Sequence, residues 1–100
     1  MFEIKLNKPH EVTIRGRLDA ANAKQAEDFL DNLSQQFVID LSGLEYISSA
    51  GLGVLLKTHK RLLESGASLK LVQVNSHIGD IFKYTGFNKL FEIEPLLQNE

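Results

Sequence analysis

Ser48 and Ser49 stand side by side just ahead of Gly51 and Gly53, in the stretch FVIDLSGLEYISSAGLGVLL that runs from Phe37 to Leu56. Hydroxyls placed where an apolar run gives way to a helical pattern could attack a substrate, help bind a phosphate or nucleotide, or accept a phosphoryl group. A serine nucleophile needs a base within about 3 Å and a group that orients the base. The 3 histidines are badly placed for this. His10 falls in a turn and His77 opens the last helix, while His59 is ten residues beyond Ser49, about 15 Å along a helix axis at ~1.5 Å per residue. His59 is expected to be a packed or half-exposed helix residue. No His, Asp or Glu set has ligand spacing, and the absence of cysteine removes thiolate metal sites and disulfides. Gly51 and Gly53 look like the opening of a dinucleotide fingerprint. Leu56 occupies the third glycine position, however, and both glycines fall inside the first helical turn. No G-x-x-x-x-G-K-[ST] spacing occurs. The residues thus predict no catalytic, cofactor-binding or metal-binding group.

What remains is a hydroxyl at a helix N-terminus. A capping serine there is worth ~1 kcal/mol. A phosphorylated one would add ~−2 charge where unpaired N–H groups and the helix dipole accept it with the fold kept. The physics of the residues leaves both readings open. It also leaves two readings of the glycines, since a missing Cβ admits either close internal packing or a docking partner.

The elements that must position this stretch follow from periodicity. Phe2, Ile4 and Leu6 alternate with polar residues, as do Val12 and Ile14, and the short break at Lys8, Pro9 and His10 predicts an antiparallel hairpin. Asp19 then precedes AANAKQAEDFLDNL, whose Ala23, Ala26, Phe29, Leu30 and Leu33 share a helical face, so Asp19 is expected to be an N-cap. The apolar run from Phe37 to about Leu41 predicts a central strand buried on both faces. Leu52, Leu55, Leu56, His59, Leu62 and Leu63 form a second helical stripe ending near Gly66. Leu69 to Val74 reads as a fourth strand, and Asn75 or Ser76 caps a short helix reaching Gly86. Phe87, Leu90, Phe91, Ile93 and Leu96 make a compact apolar tail, and the last three or four residues are expected to fray. Two strand-helix-strand crossovers make the second, third and fourth strands parallel. The expected architecture is a single α/β domain over residues 1–100: a four-stranded mixed sheet, first strand antiparallel, with helices mainly on one face.

Bulk composition limits the partners. The 100 residues suit one core. Net charge is −2 and the 11 Lys and Arg are scattered, so nucleic acid is not an expected ligand. No apolar run approaches the roughly 18 residues that would span a bilayer, which argues against membrane insertion. Met1 leads straight into a strand pattern without a basic and apolar leader, so a cytoplasmic location is expected.

With G-R-L-D at Gly16–Asp19, D-L-S at Asp40–Ser42, S-A-G-L-G at Ser49–Gly53 and T-G-F-N-K-L-F at Thr85–Phe91, in this order, the chain resembles the STAS domain family. The version it is similar to is the stand-alone bacterial anti-sigma-factor antagonist, and the resemblance runs from the first strand to about Ile93. It implies a partner switch. The unphosphorylated antagonist binds a serine-kinase anti-sigma factor, the kinase phosphorylates one serine of the antagonist and is released, and a serine phosphatase reverses the step. The acceptor position of the motif is Ser49 here, with Ser48 as second choice. The implied partner-binding residues are Asp19, Asn22, Ser48, Ala50, Gly51, Leu52 and Gly53. The best-known members carry aspartate before the acceptor and serine or threonine after it, where this chain has Ser48 and Ala50. The alternative implied by the same resemblance is a STAS subunit of a transporter or lipid-trafficking complex that is not phosphorylated.

Overall fold

The computed structural model describes residues 1–96. The expected fraying of the last three or four residues lies outside them. The hairpin forms as its alternation predicts: β1 (Phe2–Lys8) and β2 (Glu11–Leu18) run antiparallel, with Ile4 opposite Ile14 and Leu6 opposite Val12. There follow α1 (Ala23–Asp31), β3 (Phe37–Asp40), β4 (Leu44–Ile47), α2 (Ser49–Glu64), β5 (Leu69–Val74), α3 (Ser76–Thr85), a 3-10 turn at Phe87–Lys89 and β6 (Glu92–Pro95). The sheet order is β1-β2-β3-β5-β6, with β4 also paired to β2. Every pairing other than β1 with β2 is parallel, in agreement with the crossover argument.

Among the described residues the sheet has six strands where the sequence suggests four. β4 lies in what reads as a loop. β3 leaves β2 after Thr13 pairs with Asp40, and β4 takes its place from Gly16 onward, with a register shift between Gly16 and Arg17. The Gly16 N–H donates to Gly43 O at 2.9 Å. Four residues with two of them inward are too short for a periodic signal to emerge. β6 lies within the apolar tail and is held against β5 partly by Lys70, whose Nζ lies 3.0 Å from Glu94 and 3.6 Å from Glu92. Those carboxylates raise the Lys70 pKa, Glu94 contributing most.

The central strand is buried on one face only, which corrects the expectation of two. Phe37 and Ile39 are buried, whereas Val38 and Asp40 are half-exposed. The reason is alternation against one core: Val12, Ile14, Leu18, Phe37, Ile39, Leu69 and Leu71 join a buried cluster with Ala26 and Leu30 of α1 and Leu52, Leu55 and Leu62 of α2, while Val38 and Asp40 point to the opposite face. The two helices are tied together by the Lys57–Glu27 ion pair and by Arg61, whose Nη2 donates to Leu30 O at 2.8 Å. Residues 19–22 form a turn instead of the first turn of α1, so the helix starts three residues later than expected and Asn22, not Asp19, is at its N-cap position.

α3 follows expectation. Asn75 Oδ1 accepts from Ile78 N–H at 2.9 Å, Asn75 Nδ2 donates to Leu44 O at 3.0 Å, and Gly86 ends the helix at φ +79. One side chain thus caps α3 and ties it to β4. Asn75→Ala is expected to lower stability by about 2 kcal/mol, because it removes a cap and leaves a part-buried carbonyl without its donor. Asn75→Asp keeps the acceptor and should recover about half of that in urea unfolding.

Candidate functional site

The start of α2 is built on the C-terminal ends of β2 and β4, where Leu18 pairs with Ile47. Ser48 N–H donates to Leu18 O at 3.0 Å, which locks the residue before the helix onto the sheet. Ser48 is extended (φ −94, ψ 176) and is the N-cap: its Oγ accepts from Gly51 N–H at 3.3 Å and its carbonyl from Leu52 N–H at 2.9 Å. Ser49 is the first helical residue and is exposed. The two hydroxyls that the sequence leaves equivalent therefore differ, one tied into the cap and half-buried, the other facing solvent. No acidic residue occupies the first turn of α2, so the positive end of the helix dipole is not neutralised locally by a side chain of that turn.

The glycines also separate. A Cβ on Gly51 would lie 2.5 Å from Leu18 O, 2.8 Å from Leu18 Cγ and 2.9 Å from Ile47 Cγ1. Gly51 is therefore an internal contact that lets the helix start sit on the sheet. A Cβ on Gly53 meets nothing within 4 Å, so the same gap there opens to solvent.

Asp19 and Asn22 come to the same end of the sheet. Asp19 Oδ1 accepts from Ala21 N–H at 3.1 Å and from Asn22 Nδ2 at 3.3 Å, and Asn22 Nδ2 also donates to Arg17 O at 2.9 Å. Arg17 Nε lies 3.6 Å from Asp19 Oδ2, and its guanidinium sits 4.4 Å from the centre of the Tyr46 ring. Arg17 and Tyr46 are cross-strand neighbours on β2 and β4. Sequence reasoning passes over both, and only recognition of β4 would have joined them to the serines. Of the residues expected to meet a partner, Ser49 and Gly53 are exposed, and Asp19, Asn22, Ser48 and Ala50 are half-exposed. Gly51 and Leu52 (6% exposed) face inward.

The other chemistry-bearing side chains are dispersed. His59 is half-buried, its ring centroid 4.8 Å from that of Phe91. His77 is exposed in the first turn of α3. Among the described residues no group of three His, Cys, Asp or Glu side chains could hold a metal ion, and no helix is long and apolar enough to cross a membrane.

A β-hairpin opening a mixed sheet, helices on one face and a serine at the start of the central helix match a known family pattern, and the family profile of the STAS domain covers residues 3–99. The chain belongs to the STAS domain family. This STAS domain is 36% identical over 84 residues to the candidate anti-sigma factor antagonist BtrV of Bordetella bronchiseptica, covering 80% of this chain and 72% of that protein. Its fold is that of an anti-sigma factor antagonist from Mycobacterium paratuberculosis, with TM-score 0.79 at 23% identity over 97% of this chain and 86% of the other. The phosphorylated form of the Bacillus cell fate determinant SpoIIAA shares the fold at TM-score 0.66 and 17% identity, over 93% and 90% of the two chains.

Proposed function

We propose that this STAS domain, taken as one unit over residues 1–100, is a cytoplasmic anti-sigma-factor antagonist that works by partner switching. Unphosphorylated, it binds a serine-kinase anti-sigma factor across Asp19, Asn22, Ser48, Ser49, Ala50 and Gly53. The kinase transfers a phosphoryl group to Ser49 and lets go, and a serine phosphatase resets the chain. The domain supplies no catalytic group; it is the substrate of its partners' active sites.

The observation that carries this reading is the division of labour between the two serines. Phosphorylating Ser48 would break the bond from Gly51 N–H and disturb the helix start, whereas Ser49 is outside the cap and exposed. A phosphate on Ser49 also meets the unpaired N–H groups and dipole of α2 with no first-turn carboxylate to repel it.

The test is incubation with the cognate kinase and ATP, followed by mapping of the phosphate by mass spectrometry. Ser49→Ala should lose the phosphate while changing stability by less than about 0.5 kcal/mol, as exposed substitutions do. Ser48→Ala should lose ~1 kcal/mol of stability and still be phosphorylated at Ser49. Phosphate remaining on the Ser49→Ala protein would move the acceptor to Ser48. Recovery of transporter components and no kinase in a pull-down would replace the reading altogether.

A further inference from the structure

The outer edge of β1 is unpaired among the described residues, because β1 is the terminal strand of the sheet. The opposite edge is protected: β6 is 4 residues long and ends in Pro95, which cannot donate to a neighbouring strand. β1 is 7 residues long, FEIKLNK, and carries no proline. Met1 O accepts from Arg17 N–H at 2.9 Å, one step beyond the Phe2–Gly16 pair. Hydrogen-bonded and non-hydrogen-bonded pairs alternate along an antiparallel ladder. Glu3 and Lys5 therefore direct their backbone groups to β2, and Phe2, Ile4 and Leu6 turn theirs outward.

The side chains divide along the same alternation. Phe2 and Ile4 pack at the margin of the core, Leu6 is 49% exposed beside them, and Glu3 and Lys5 lie on the open face of the sheet. Turned antiparallel against a second copy and centred on Ile4, the segment from Phe2 to Leu6 is complementary to itself: Ile4 faces Ile4, Glu3 faces Lys5 and Phe2 faces Leu6. The outward backbone groups fall at the hydrogen-bonded positions of that pairing. We propose that two copies of this chain join edge to edge through β1, making one continuous sheet across a two-fold axis at Ile4. Such an isologous contact uses the same patch from both copies. About six backbone hydrogen bonds close it, the apolar pairs extend the core side, and two Glu3–Lys5 pairs select the register. The same charges disfavour an unrelated or slipped strand, because either sign placed opposite its like is repulsive.

A contact of one strand pair is smaller than a standard interface, so a dissociation constant on the order of 100 µM is expected. Sedimentation equilibrium from about 10 µM to about 1 mM should therefore show the wild-type chain passing from monomer to dimer. Glu3→Lys and Lys5→Glu each place like charges opposite one another and should weaken the dimer about tenfold or more. An equimolar mixture of the two variants restores opposite charges at both positions and should form a mixed dimer of wild-type strength. Both side chains are about half exposed, 47% and 55%, so the fold should tolerate each change, with circular dichroism as the check. A wild-type chain that stays monomeric at about 1 mM, a variant that dimerises as strongly as the wild type, or a mixture no stronger than either variant alone would each overturn the proposal.

Discussion

Gly51→Ala is expected to destabilise the domain sharply, although alanine is the better helix former. The added Cβ would lie 2.5 Å from the Leu18 carbonyl oxygen, a backbone atom that also accepts from Ser48 N–H. Neither partner can move alone: shifting Leu18 disturbs its pairing with Ile47, and shifting α2 opens the core around Leu52 and Leu55. Overpacking of this kind costs about 3 kcal/mol, against a propensity gain of at most about 1 kcal/mol. The net loss of about 2 kcal/mol is a large part of the 5–15 kcal/mol typical of a domain. With a urea m-value of about 1 kcal/mol/M the unfolding midpoint should fall by about 2 M. Gly53→Ala is the control in the same turn of the same helix. Its Cβ meets nothing, so only the propensity term acts and the midpoint should rise by about 0.5–1 M. Equal shifts for the two variants would refute the packing difference.

The second large effect concerns binding. Phosphorylated Ser49, or Ser49→Glu as a partial mimic, is expected to bind the kinase partner about 100-fold more weakly than the unmodified chain, close to 3 kcal/mol. In the proposed complex the Ser49 hydroxyl is covered by the partner. A charge put there is stripped of water without a matching cation, a penalty of about 2–5 kcal/mol. The Asp19 carboxylate, at the same end of the sheet, adds a like charge, moderated by the Arg17 guanidinium 3.6 Å from it. Stability should barely change, because the cap is made by Ser48. Calorimetric titration of the partner reads the affinity and urea unfolding reads the fold. Loss of binding accompanied by unfolding would contradict a switch confined to the surface.

The hairpin, the parallel order of β2, β3 and β5, the α2 stripe, a cap for α3 at Asn75 or Ser76 and its end at Gly86 were all legible in the residues. Each depends on a repeat or a turn signal contained within a short window, where side-chain period and backbone geometry determine one another. The resemblance to STAS domains was legible for a related reason, since its motifs lie at the junctions between those elements.

Local pattern did not reach β4, β6, the one-sided burial of β3 or the true start of α1. β4 and β6 are four residues each and exist because β2 and β5 offer them an edge. β3 leaves Val38 half-exposed, and the apolar run FVI reads the same whether that face is covered or not. Asp19 reads as a helix cap, yet its carboxylate accepts from Ala21 and Asn22, because Arg17, Tyr46 and the end of β2 hold the turn 19–22 in place. The serine pair follows the same rule. Residue type and spacing identify Ser48–Ser49 as the hydroxyls at a helix start, and long-range contact distinguishes them: the bond from Ser48 N–H to Leu18 O anchors one residue in the cap and leaves the next one facing water.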